Sequence, residues 1–142
     1  MAEVKDCIFC KIIKGEIPCT KIYEDKDVFV MLDISPACPQ GGHTLVMPKK
    51  HYELITDIPD KELCELTKII KKMAEALLKY GQGLNIIQNN KKVAGQFVPH
   101  VHFHLIPRFE KDGVLIEKWA THKYPDGEMI RVADRIKKLL KD

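Results

Sequence analysis

His100-Val101-His102-Phe103-His104 places three of the chain's six histidines at every second position. That is strand periodicity, because successive side chains of an extended chain point to opposite faces. The spacing predicts three imidazoles on one face, with Val101, Phe103 and Leu105 on the other. Neighbours on one face lie roughly 6.5–7 Å apart, close enough to act on one phosphate or to share a metal. A lone histidine is an ordinary core or surface residue; three in phase mark a reactive face. Outward from this strand, residues 28–32 and 84–88 are rich in strand formers, and 43–47 read as a strand stopped by Pro48. Tyr23 to Asp33 reads as a hairpin turning at Glu24-Asp25-Lys26-Asp27. Residues 7–14 predict a short helix closed by Gly15. Leu63, Leu66, Ile70, Met73 and Leu77 recur at helical spacing between Pro59-Asp60 and Gly81, an amphipathic helix suited to cover a sheet. Met129, Ala133, Ile136 and Leu140 predict a last helix.

A length of 142 residues fits one domain with its own core. No run approaches the ~18 apolar residues of a membrane span, and Met1 to Asp6 have no apolar stretch behind their charges. The expected setting is therefore the cytoplasm, with no membrane partner. Five cysteines cannot all pair internally, and a reducing compartment disfavours disulfides. Cys7-Ile8-Phe9-Cys10 then needs another use, as a redox pair, a metal pair or a coincidence. A net charge of +3 suits a phosphate-bearing small ligand. No basic stripe interleaved with aromatics points to nucleic acid.

The run Gln96-Phe97-Val98-Pro99-His100-Val101-His102-Phe103-His104-Leu105-Ile106-Pro107-Arg108 resembles the signature of the histidine triad (HIT) family. Cys7 to Ile13 with Ile17-Pro18, Leu32-Asp33-Ile34-Ser35-Pro36, and Gly42-His43-Thr44-Leu45-Val46-Met47-Pro48-Lys49-Lys50-His51 resemble the family's other blocks in order. Ile106-Pro107-Arg108 is most similar to the dinucleoside polyphosphate hydrolase and bacterial or archaeal branches. The resemblance implies an α+β fold: an antiparallel sheet, a long covering helix and a carboxyl-terminal helix. It also implies one HIT domain over 1–142, with its motifs in 5–110 and a helical extension over 111–142, assembled as a homodimer. The implied activity is nucleotidyl hydrolysis or transfer at the α-phosphate of purine nucleotide conjugates, dinucleoside polyphosphates or adenylate conjugates, with no organic cofactor.

Carried over residue by residue, the resemblance makes His102 the nucleophile, forming a phosphoramidate that water hydrolyses. His104 and His43 would donate to phosphate oxygens or leaving group. Gln96 and Asn89 would position the same groups as uncharged donors. Asp33 matches the ribose-binding acid, while Phe9, Ile12, Met31 and Ile34 match residues around the base. The related uridylyltransferase branch implies a structural zinc on Cys7, Cys10, His51 and His100. Phe97 departs from the pattern, since the family commonly places serine or threonine there. On a regular strand its ring would pack in the core with Val101 and Phe103; otherwise it lines the leaving-group side.

Two rivals follow from the same residues. One is a nucleotide-binding adaptor with little or no turnover. The other is a metalloprotein using the three histidines, weakened because no acidic partner follows closely after His104.

Overall fold

Alternation along the strands decides how this sheet is covered. The computed structural model describes residues 4–116 and 118–141. Its elements are α1 (Ile8–Ile13), β1 (Lys21–Glu24), β2 (Val28–Leu32), β3 (Thr44–Pro48), α2 (Asp60–Tyr80), β4 (Gly83–Gln88), β5 (Phe103–Arg108) and α3 (Glu128–Lys141). The strands form one antiparallel sheet in the order β1-β2-β3-β5-β4. Val28, Val30, Val46 and Leu105 point to one face and pack with Leu66, Ile70, Met73 and Leu77 of α2. Each of those α2 side chains contributes up to about 1.5–3 kcal/mol by burial. Phe29, Met31, Leu45 and Met47 point the other way and pack with Cys7, Phe9 and Cys10 at α1. The α+β fold implied by the sequence is the one observed.

The first hairpin turns where the sequence places it, with Asp25 Oδ1 accepting from the N–H groups of Asp27 and Val28 at 2.8 and 2.7 Å. The histidine segment departs from expectation. β5 begins only at Phe103, so His100 and His102 precede the strand. Pro99 has no N–H to continue a ladder, and the chain bends there, with the N–H of Val101 donating to the carbonyl of Tyr52 at 2.7 Å. The bend sends His100 to a different set of partners from His102 and His104. Val101 and Leu105 remain in the core, as alternation requires.

Two backbone positions shape the site. Gly42 has φ +87°, and a Cβ there would sit 2.6 Å from Tyr80 Cε1, so glycine lets the chain enter β3 directly after His43. Lys91 holds φ 72° and ψ 155°, a region that belongs to glycine. After β5, Arg108 donates to Asp112 Oδ2 at 2.8 Å, Asn85 Oδ1 at 2.7 Å and the carbonyl of Val114 at 2.7 Å, tying the following segment to the sheet. Met129, Ile130, Ile136, Leu139 and Leu140 of α3 are 54–80% exposed.

Candidate functional site

Three histidines take their tautomers from the main chain, and a fourth takes its own from one of them. A backbone N–H can only donate, so His43 Nδ1 must accept from Ala37, 3.0 Å away. His43 therefore carries its proton on Nε2, which donates to His104 Nδ1 at 2.9 Å. That leaves His104 with an Nε2–H. A carbonyl can only accept, so His102 Nδ1–H donates to the carbonyl of His100 at 2.7 Å and His102 Nε2 keeps its lone pair. By the same logic His100 donates from Nε2 to the carbonyl of Pro48 at 2.8 Å, freeing Nδ1. Burial pushes His104 down to about 4 and His102 below the ordinary histidine value, so both rings are neutral at pH 7. The His102 and His104 rings meet edge-on at 4.9 Å, and Phe9 packs on His102 at 5.0 Å.

The pairing of Leu45 with His104 puts His43 on the adjoining diagonal, where it meets His104 from behind. His43 is buried, and its contact with the cleft runs through His104. Asp33, His43 and His104 have ligand atoms within 4.8 Å of one another. A metal on His43 Nε2 would force the proton onto Nδ1, against the N–H of Ala37. That group therefore conflicts with the main chain around His43, and the rival reading of a metal on His100, His102 and His104 finds no such cluster among the described residues, because His100 Nδ1 faces the cysteines.

His100 turns instead toward the cysteine pair. Its Nδ1 is 3.5 Å from both Cys7 Sγ and Cys10 Sγ, and His51 Nδ1 is 3.3 Å from Cys10 Sγ. Tetrahedral zinc with ordinary bond lengths has sulfur–nitrogen edges of about 3.6 Å, so these four groups are spaced to hold an ion. Cys7 caps α1, accepting from the N–H of Cys10 at 3.4 Å. Burial, and after it the neighbouring Cys7, pushes the Cys10 thiol up to about 11, so a Cys10 thiolate here requires a cation beside it. His51 Nε2 is the buried side-chain polar atom without a partner among the described residues, which leaves Nδ1 as the ring's polar anchor. The Pro48 carbonyl behind His100 fixes the donor nitrogen as in many metal sites. Four protein ligands would close the coordination shell, so such an ion would clamp structure and leave no position for water.

A cleft of about 770 Å³ opens beside His102 and His104. Of the sequence-derived candidates, Phe9, Ile12, Met31, Asp33, Ile34, His102 and His104 line it. Asp33 Oδ1 accepts from the N–H of Ser35 at 2.8 Å, and Oδ2 lies 3.7 Å from His43 Nε2. Ile34 is 98% exposed at the rim. Asn89 and Gln96 do not line the cleft. Gln96 is buried, its Oε1 accepting from the N–H of Lys91 and its Nε2 donating to the carbonyl of Glu53, both at 2.7 Å. Asn89 Nδ2 reaches the carbonyl of Gly95 at 3.5 Å. Both amides hold the loop before the histidines. The core position expected for Phe97 is also overturned: the ring is 81% exposed and lines the cleft. Ile17, Pro18, Cys19 and Thr20 form a wall that sequence reasoning missed, although Ile17-Pro18 belongs to the quoted blocks.

The profile of the HIT domain family matches residues 14–111. An uncharacterised HIT-like protein of Methanocaldococcus jannaschii is 56% identical over 112 residues, 78% of this chain and 85% of that protein. The adenosine 5'-monophosphoramidase HNT1 of Saccharomyces cerevisiae is 46% identical over 117 residues, 82% of this chain and 72% of that protein. A crystal structure of a HIT family member from Bacillus subtilis superposes with a TM-score of 0.84 at 39% identity, covering 94% of this chain and 96% of that one.

Proposed function

This chain belongs to the HIT domain family, and from that premise we propose that it hydrolyses purine nucleotide conjugates at the α-phosphate through a covalent histidine intermediate. The observation that carries the reading is the main-chain control of the tautomers, which aims one lone pair and one N–H from neighbouring rings in the cleft. His102 Nε2 attacks phosphorus and forms a P–N bond while the bond to the leaving group breaks. His104 Nε2–H donates to the charge that grows on the leaving atom or a phosphate oxygen. Water then attacks the same phosphorus, the P–N bond breaks with its electron pair returning to His102 Nε2, and the proton that water loses passes to solvent, balancing the one the leaving group takes up. Phe9, Ile12, Met31 and Ile34 hold the base, and Asp33 Oδ2 accepts from ribose hydroxyls. The named activity of the yeast relative supports an adenosine conjugate and a phosphoramidate bond.

In this reading a zinc ion on Cys7, Cys10, His51 and His100 supplies structural cross-linking of α1 to the segments before β5 and after β3. No organic cofactor takes part. Residues 1–142 act as one HIT domain, with its motifs in 5–110 and an extension over 111–142, in a homodimer. A reducing compartment keeps a thiolate metal set intact, which supports a cytoplasmic setting. No helix among the described residues is long and apolar enough to cross a membrane.

The test is hydrolysis of adenosine 5'-phosphoramidate with rapid-quench mass spectrometry. Adenylated His102 should accumulate, and His102→Ala should lose turnover while binding AMP within roughly tenfold of wild type. Retained turnover in that variant would refute the mechanism.

A further inference from the structure

The loop before the histidines presents apolar side chains to solvent at the mouth of a catalytic cleft. Phe97 is 81% exposed there, and Val93 on the same loop is 99% exposed. Gly95, Phe97 and Val98 are the loop's contribution to the cleft wall, and none carries a side-chain donor or a charge. The loop is held in place from beneath. Gln96 is buried between the N–H of Lys91 and the carbonyl of Glu53, and Asn89 reaches the carbonyl of Gly95. Phe97 therefore projects from a clamped segment, and its position is set before any ligand arrives.

We infer that Phe97 selects the leaving group, favouring conjugates whose departing portion is apolar or aromatic over those whose departing portion is small or charged. The inference rests on the function proposed above. With the base against α1 and β2 and the phosphate beside His102 and His104, the walls left for the departing portion are residues 17–20 and the loop at 95–98, and the loop is the one that runs on into the histidine segment. A phenyl ring and a valine reward a flat or apolar group by removing both surfaces from water. They offer an ammonium group only a weak cation–π contact in place of the hydration it would lose on entering. Discrimination by an apolar contact of this kind runs from about 10-fold to 200-fold.

The test compares kcat/KM for two adenosine 5'-phosphoramidates, one releasing phenethylamine and the other releasing lysine through its side-chain nitrogen. Wild type should prefer the phenethylamine conjugate. Phe97→Ser should lower the ratio of the two values about tenfold, chiefly through KM for the aromatic conjugate. Phe97→Leu, which keeps an apolar side chain, should retain most of the preference. Melting temperatures of all three proteins should agree within about 2 °C, since an exposed ring contributes little to folding. A ratio in Phe97→Ser within threefold of wild type overturns the inference, as does a melting temperature lower by several degrees, which would put the ring in the core. If wild type hydrolyses both conjugates and only the ratio is insensitive to position 97, the proposed function stands and Phe97 has no part in selection. If wild type hydrolyses neither, both readings fall.

Discussion

Replacing Lys91 with glycine should stabilise this protein. Lys91 adopts φ 72° and ψ 155° because three contacts fix it there. Its N–H donates to Gln96 Oε1 at 2.7 Å, and its carbonyl accepts from Ala94 and Gln96 at 3.0 and 3.2 Å. A side chain in that region costs about 1–3 kcal/mol. Glycine removes the steric penalty but frees the unfolded chain, returning about 0.4–1 kcal/mol. The Lys91 side chain is exposed, so little else is lost. The difference is a net gain of about 1 kcal/mol, or roughly 2–6 °C in melting temperature for a chain of this size. Urea unfolding and calorimetry on Lys91→Gly would measure it, with Gln96→Ala and the double variant completing a cycle. Gln96→Ala alone should cost about 1–3 kcal/mol by orphaning its buried partners, and the gain from Lys91→Gly should shrink once that clamp is gone. A loss of about 0.5 kcal/mol or more in Lys91→Gly would refute the strain argument.

Cys7→Ser should release about one zinc per chain from protein purified with metal and lower its melting temperature, because metal binding and folding are linked; elemental analysis showing full retention would sink the four-ligand assignment. Stability should fall as pH drops through the window between about 6.5 and 4. Burial holds His104 near 4, so the native state binds fewer protons there than the unfolded chain, and the stabilisation is complete only above pH 6.5. The shift corresponds to at most roughly 3 kcal/mol for that ring, measurable as urea midpoints at pH 7 and 4.5; unchanged midpoints would contradict a buried neutral imidazole. The acid limb of kcat/KM should lie below 6.5, because burial lowers His102 in the same direction. Gly42→Ala should cost at least about 1–2 kcal/mol from its positive φ alone, with further loss from the clash with Tyr80, and should reduce turnover by displacing His43; circular dichroism melts with an activity assay would show both.

The strands and α2 were legible because alternation and helical spacing record which side chains share a face. Val28, Val30 and Val46 parted from Phe29, Leu45 and Met47 as that rule requires. The length of the histidine strand was not legible, because Pro99 bends the chain and sends His100 to the cysteines. The role of His43 depends on the register of β3 against β5, a long-range pairing that local spacing does not encode. Gln96 carries a side chain equally able to bind phosphate or loop, and only its buried partners decide between them. For α3 the period predicted a helix, but periodicity says nothing about what covers a face, and Leu139 and Leu140 lie largely in solvent.

Because the polarity of the imidazoles is written in peptide groups at Ala37, Pro48 and His100, it is nearly immune to sequence drift. Any residue at position 37 except proline supplies the same N–H, and the carbonyl that orients His102 survives replacement of His100's own side chain. Comparison of side chains would therefore overlook these determinants. Two relatives could differ at all three positions and still present the same lone pair and the same proton to a phosphate.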